Sequence, residues 1–313
     1  MKDVFLLVSR LEKLRKIPQF IFIGPIYPPQ TARVRDEILR YSKKNPSIKE
    51  IDLILESPGG SADDAYRMIR TIRHSFEKVN IVVPFWAKSA ATLLALGGST
   101  IIMDEFGEFG PLDTQLKTDD EMPDSEPESA LIDEYSLSTI EDRAQELYQR
   151  MLLSLLKSNE DSEIDVRIKK TILSEQLLNY IPNLYKPLLD KINPYEIGAK
   201  ARYLSVGEKY AERILNEFNK PNLGKDIRYF IDYIVHECPD HGYIIDYSVI
   251  SKFLKNIKHA KEIGVDYCNI LTELSNLFFR NKVKDYYIGF FDKDLLALNK
   301  EAKDKKKKVE NEK

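Results

Sequence analysis

Residues 82–116 read VVPFWAKSAATLLALGGSTIIMDEFGEFGPLDTQL, and this stretch decides the fold. An apolar run at 79–85 leads into it, and a segment of small residues at 87–98 is followed by a second apolar run at 100–103. That order predicts a strand, a buried helix and another strand.

Two more strand and helix pairs precede this stretch. Apolar runs at 17–27 and 51–55 predict strands, and the helical spacing of apolar residues at 31–43 and 62–76 predicts a helix after each. Short strands that alternate with helices pair in parallel, because each connection is long enough to carry a helix across the sheet. We therefore predict an α/β domain over residues 1–116.

The chain changes character after this domain. Residues 117–129 are acidic and contain two prolines, which predicts a mobile surface loop. Residues 130–299 have mainly helical periodicity and are predicted to complete the functional site. Residues 300–313 are a low-complexity run of Lys and Glu, for which we predict disorder.

The composition of the chain bears on whether it binds nucleic acid or metal and on the compartment in which it is found. The 313 residues include 47 Lys and Arg against 50 Asp and Glu, so no basic excess points to nucleic acid. The two cysteines exclude a disulfide framework and a four-ligand zinc site, and no cofactor or metal is predicted. The apolar run at 4–8 is too short for a signal peptide or a membrane span, so we expect a cytoplasmic protein without membrane association.

A glycine turn follows the second predicted strand, in the sequence Ser57-Pro58-Gly59-Gly60. Glycine tolerates positive φ angles, so such a turn can present backbone N–H groups without side-chain obstruction. Gly59 or Gly60 is therefore a candidate donor to an oxyanion. The alternatives are an ordinary turn or a phosphate-binding loop, although no Walker lysine follows.

Ser89 stands between a predicted strand and an alanine-rich helix. At that position the helix dipole and the N–H group of Ala90 favour an anion, which suits a nucleophile beside an oxyanion hole. The alternative is a serine that only caps the helix, since capping is a common role for serine.

The joint order of SPGGS, AKSAATLLALGG and FGPLD resembles the Clp-protease and crotonase superfamily. Residues 82–116 resemble more closely the serine dehydrogenase proteinase family, which is related to signal peptide peptidase A. The resemblance implies a spiral of ββα units with a large α-helical addition. It also implies a homo-oligomer that acts on peptide or protein substrates.

The resemblance further implies a Ser, Asp, His catalytic order. The serine falls on Ser89, the aspartate on Asp113, and the histidine on His241 within PDHGYIID. His241 would be the general base, and Asp113 would fix its tautomer, with Asp240 as a substitute.

This chain departs from the family pattern at several positions. Lys88 stands where the family has methionine, Ala90 and Ala91 replace glycines, and Thr114 replaces proline. An alanine still supplies a backbone donor, so Ala90 remains a candidate for the oxyanion hole.

We predict a serine peptidase that works through an acyl-enzyme intermediate. One alternative is a Ser-Lys dyad, for which Lys88, Lys117 and Lys200 are the candidate bases. Two others are a crotonase-like acyl-thioester enzyme, which uses two backbone donors, and a catalytically inactive oligomeric scaffold.

Overall fold

The structure, a computed structural model, describes residues 1–112, 115–116, 128–158, 170–190, 193–219, 227–240 and 242–292. The chain divides into two compact units. The α/β unit consists of residues 1–113 and 204–313, and the helical unit of residues 114–203.

A mostly parallel sheet of six strands forms the centre of the α/β unit. The strands of the described residues are β1 (Gln19–Ile23), β2 (Glu50–Glu56), β3 (Lys78–Val83), β4 (Trp86–Ala87), β5 (Thr100–Met103), β6 (Glu108–Phe109), β7 (Gln115–Leu116), β8 (Glu128–Ser129), β9 (Ile257–His259) and β10 (Tyr287–Phe290). The sheet order is β10-β1-β2-β3-β5-β9, and within it β10 alone is antiparallel to its neighbour. The short strands β4 and β6 form a separate parallel pair, and β7 pairs with β8 in the helical unit.

Helices connect and cover the strands. Those of the described residues are α1 (Lys2–Arg15), α2 (Pro28–Lys44), α3 (Ala62–Ser75), α4 (Ala90–Ala95), α5 (Ala130–Ser158), α6 (Lys170–Leu189), α7 (Pro194–Ile214), α8 (Ile227–Asp232), α9 (Tyr247–Ile250), α10 (Ala260–Ile263) and α11 (Val265–Phe279). The segments Leu215–Asn219 and Tyr233–Glu237 are π-helical. The helical unit contains α5, α6 and the beginning of α7.

Both faces of the sheet are buried, which explains why its strands are uninterrupted apolar runs. On one face Ile21, Ile54 and Val82 belong to a core cluster with side chains of α1 and α11. On the other face the alternate strand residues are also buried, and Tyr41 of α2 stacks on Phe290 of β10. The central strands therefore lie between two helical layers.

A buried carboxylate ties α1 to the sheet. Asp52 of β2 is completely buried and accepts hydrogen bonds from Arg15 (3.1 and 3.2 Å), Gln19 (2.9 Å) and Asn80 (2.8 Å). A buried charge is tolerated only when it is paired and hydrogen-bonded, and this set of donors meets that requirement.

The predicted α/β fold with a parallel sheet is confirmed. The strands predicted at 17–27, 51–55, 79–85 and 100–103 correspond to β1, β2, β3 and β5. The structure differs after residue 204, because the chain there returns to the α/β unit and adds β9 and β10 to the sheet. Helix α1 was not predicted. Residues 117–127 of the predicted loop and the tail at 300–313 lie outside the described residues.

Within the described ranges, no helix combines the length and the apolar character needed to cross a membrane. In the same ranges, no group of three His, Cys, Asp or Glu side chains is placed to hold a metal ion. Cys238 and Cys268 are buried free thiols.

Candidate active site

Four segments of the α/β unit are joined in one hydrogen-bonded row at the carboxyl edge of the sheet. Ser57 bridges to Ala87, Ala87 pairs with Phe109, and Phe109 bridges to Ile245. Ser57 exchanges backbone hydrogen bonds of 2.8 and 3.0 Å with the residues that flank Ala87. Phe109 and Ile245 exchange two of 3.0 and 3.1 Å.

The row brings together the chain segments that carry the predicted site. It joins the glycine turn, the segment of Ser89, the chain that leads to Asp113 and the chain that follows His241. Asp113 and His241 themselves lie outside the described residues. Asp240, the substitute for Asp113, is exposed.

Ser89 has an unusual backbone conformation, with φ of 49° and ψ of −117°. A non-glycine residue in such a region costs about 1–3 kcal/mol and is found chiefly at functional sites. A capping serine instead has an extended backbone and accepts a hydrogen bond from the helix. Ser89 makes no side-chain cap hydrogen bond to α4, so its geometry does not fit the simple capping role.

Gly59 allows the glycine turn to approach Ser89 closely. A Cβ atom at residue 59 would lie 2.6 Å from the carbonyl oxygen of Lys88 and 3.0 Å from the Cβ atom of Ser89. The φ of Gly59 is 103°, which also disfavours any other residue. The turn and the candidate nucleophile are therefore in contact because residue 59 has no side chain.

The candidate oxyanion donors differ in whether their backbone N–H groups already have an acceptor. The N–H of Gly59 donates to Ser57 Oγ at 3.1 Å. No acceptor for the N–H groups of Gly60 and Ala90 lies among the described residues. The sequence left Gly59 and Gly60 as equal candidates, and this hydrogen bond favours Gly60 together with Ala90.

Thr92 fixes α4 to the neighbouring segments. Its fully buried hydroxyl lies 2.6 Å from the carbonyl oxygen of Ala87 and 2.8 Å from that of Gly110, and it accepts a hydrogen bond from the N–H of Gly110 at 3.1 Å. The side chain thus holds the first turn of α4 against both β4 and the residue that follows β6.

Of the three lysines proposed as alternative bases, only Lys88 has a described side chain. Lys88 Nζ lies 2.8 Å from Glu108 Oε2 and 3.3 Å from the carbonyl oxygen of Phe109. In a Ser-Lys dyad the amine must reach the serine hydroxyl, whereas these two contacts of Lys88 Nζ are both with β6. Lys117 lies outside the described residues, and Lys200 lies in α7 with its side chain outside them.

The three described histidines are His74, His236 and His259. His74 is exposed at the end of α3, where its Nδ1 lies 2.7 Å from the carbonyl oxygen of Arg70. His259 caps α10, since its Nδ1 accepts a hydrogen bond from the N–H of Lys261 at 3.2 Å. His236 is half-buried in the π-helical segment Tyr233–Glu237.

Sequence reasoning missed a buried carboxyl next to the glycine turn. Glu56 ends β2 and accepts a hydrogen bond from the N–H of Trp86 at 3.0 Å. Burial raises the pKa of Glu56 to about 8, opposed by backbone hydrogen bonds from Trp86 and Phe85 and reinforced by the charge of Glu108. The available signal was an acidic residue directly between an apolar strand and Ser57-Pro58-Gly59-Gly60.

Comparison with protein families identifies the chain. The model of the ClpP-like SDH-type serine proteinases matches residues 4–182. The chain belongs to this family. The matched residues include Ser89, the glycine turn and Asp113, and they end before His241.

The similar proteins cover smaller parts of the chain. Two uncharacterized proteins of Methanocaldococcus jannaschii are 38% and 35% identical over 96 residues, which cover 31% and 30% of this chain. The match spans about a third of the length of these relatives, 34% and 33%. Among solved structures, a ClpP1 mutant from Listeria monocytogenes is 17% identical with a TM-score of 0.28, over 33% of this chain and 59% of that one.

The raised pKa of Glu56 predicts a pH-dependent stability. Its pKa is about 8 in the folded protein and 4.5 as the ordinary value, so folding favours the protonated carboxyl. That contribution is complete below pH 4.5 and is lost as the pH rises through 8, by as much as about 5 kcal/mol. The variant Glu56→Gln keeps an acceptor for the N–H of Trp86 and should remove this loss.

The measurement is the free energy of unfolding in urea at pH 5, 7 and 9. We expect Glu56→Gln to become more stable than the unmodified protein as the pH rises. The exposed Glu77→Gln is the matched control. A stability difference between Glu56→Gln and the unmodified protein that does not change with pH would contradict the assignment.

Proposed function

We propose that this chain is a serine peptidase in which Ser89 attacks the peptide carbonyl and forms an acyl-enzyme. The observation that carries the proposal is that Ser89 has a strained backbone, makes no capping hydrogen bond to α4 and contacts Gly59. A nucleophile on a strained turn between a strand and a helix is held exposed and oriented for attack. The N–H groups of Gly60 and Ala90 would bind the oxyanion that forms on the substrate.

We assign the general base to His241. The hydrogen-bonded row supports this assignment, because Ile245, four residues beyond His241, bridges to Phe109, which itself pairs with the strand before Ser89. His74 and His259 already make local contacts elsewhere. His241 would take the hydroxyl proton of Ser89 and return it to the leaving amine, and Asp113 would hold its tautomer.

Labelling with a fluorophosphonate tests the nucleophile. We expect the probe to modify Ser89 and peptide hydrolysis to fall by about 10³-fold or more in Ser89→Ala, since the hydroxyl forms the acyl-enzyme. Ser42→Ala, on the surface of α2, is the control and should keep both properties. Folded protein that is neither labelled nor hydrolytic would refute the proposal.

The base is tested by the same two measurements. We expect His241→Gln to lower hydrolysis by about 10²- to 10⁴-fold, because general-base catalysis contributes that much. His74→Gln is the matched control. Full activity in His241→Gln would contradict the assigned base, and loss in His236→Gln instead would move the role to that residue.

We also propose that the protein assembles with copies of itself through α6. Six large apolar or aromatic side chains of this helix are 44–60% exposed, although the described part of the helical unit packs α5 against it. They are Ile172, Leu178, Tyr180, Leu184, Leu188 and Leu189. A helix that is apolar on most of its sides is ordinarily buried, and a second copy of the chain would cover it.

Sedimentation or light scattering after gel filtration measures this assembly. We expect an oligomer for the unmodified chain and a smaller species for the double variant Leu184→Glu with Leu188→Glu. Leu14→Glu on α1, at a similarly exposed leucine, is the control. A monomeric unmodified protein would contradict the proposal. The cytoplasmic location stays a prediction from the sequence.

A further inference from the structure

Lys88 directly precedes the candidate nucleophile, and its side chain is almost removed from water. The side chains of Lys88 and Glu108 are only 13% and 18% exposed, and their charged atoms lie 2.8 Å apart. Lys88 also donates to the carbonyl oxygen of Phe109 at 3.3 Å. The lysine therefore joins the segment of Ser89 to β6 by contacts beyond the backbone hydrogen bonds.

The ion pair runs diagonally across the two short strands. Glu108 is paired with Trp86 in the register of β4 and β6. Trp86 precedes Lys88 by two positions, so the side chain of Glu108 reaches diagonally to Lys88. The carbonyl oxygen of Phe109 also accepts the N–H of Ile245, so Lys88 reaches the atom that closes the last link of the row. A displacement of Lys88 would disturb the nucleophile segment and the chain toward Asp113 together.

The absence of a side chain at residue 110 leaves space for the side chain of Lys88. A Cβ atom at residue 110 would lie 2.8 Å from Lys88 Cδ, so Gly110 provides the space for the lysine stem. On the other side of β4, the carboxyl of Glu56 accepts the N–H of Trp86. One acidic side chain from β2 thus bonds to β4, and one from β6 bonds to the residue that follows β4.

A largely buried ion pair is a weak source of net stability, because the loss of hydration offsets much of the attraction. It does, however, penalise arrangements in which either charge is left without its partner. This property suits a segment only two residues long as a strand, for which few other interactions define the position.

We propose that Lys88 and Glu108 are positioning residues that hold Ser89 in register with the oxyanion donors. This role rests on Ser89 being the nucleophile, as proposed above. Lys88 acts through the backbone that connects β4 to Ser89 and does not exchange a proton with substrate.

The test measures how fast a fluorophosphonate labels Ser89 in folded variants. We expect Lys88→Met and Glu108→Gln to slow labelling about 10- to 100-fold, because displacements near 1 Å have such effects on reacting groups. Lys88→Arg, which keeps the ion pair, should remain within a few-fold of the unmodified protein. The charge-reversed double variant Lys88→Glu with Glu108→Lys should label faster than either of its single variants.

The control is Lys49→Met, which breaks an exposed ion pair with Glu77. It should leave labelling unchanged. Equal labelling rates in folded Lys88→Met and the unmodified protein would overturn the proposal. A charge-reversed double variant that labels no faster than its single variants would also overturn it. If Lys88→Met does not fold, Lys88→Arg and the double variant decide between these outcomes.

A second readout does not depend on the chemistry of Ser89. Trp86 is the only tryptophan of the chain and lies in β4, so its fluorescence and the hydrogen exchange of amides 85–89 report on this strand. We expect Lys88→Met to increase exchange at these amides and Lys88→Arg to preserve it. If the fluorophosphonate does not label the unmodified protein but Lys88→Met still increases exchange, the peptidase proposal is refuted and the positioning role is retained. If Lys88→Met leaves exchange at these amides unchanged, the positioning role is refuted.

Discussion

The backbone hydrogen bonds that join Ser57, Ala87, Phe109 and Ile245 are the constraint on which the site depends. Parallel strands end at one edge of a sheet, so loops that are far apart in sequence emerge side by side. That arrangement alone does not determine the direction in which each loop leaves the sheet. The row fixes this direction, because each segment satisfies its backbone donors and acceptors on its neighbours.

The close approach of the glycine turn to Ser89 requires a glycine at residue 59, and Ser89 itself is strained. Gly59 contacts Ser89 where any side chain would collide with the backbone of Lys88. Ser89 itself keeps a positive φ, whose cost of about 1–3 kcal/mol must be offset by the structure around it. The buried hydroxyl of Thr92 and the ion pair of Lys88 with Glu108 provide fixed contacts on both sides of that residue.

The sequence predicted those parts of the fold that produce local periodicity. Strands β1, β2, β3 and β5 are buried on both faces, and the helices between them are amphipathic, so their patterns were legible. Strands β9 and β10 are three and four residues long and join the sheet from the far end of the chain. Such short segments carry no period, and their pairing is decided by tertiary contacts.

The same difference applies to the site. The glycine turn and Ser89 were recognised because their segments occur in a specific order. Glu56, Glu108 and the role of Lys88 were missed, because they depend on β4 and β6, which are two residues long and were not predicted. Lys88 was considered as a base from its position next to Ser89, whereas the side chain turns to Glu108.

A crystal structure of the protein after reaction with a fluorophosphonate tests the central claim most directly. The account predicts a phosphorus atom bonded to Ser89 Oγ, with its oxygen about 2.7–3.2 Å from the N–H nitrogens of Gly60 and Ala90 and with His241 beside Oγ. An adduct on another residue, or an oxygen directed away from both N–H groups, would contradict it.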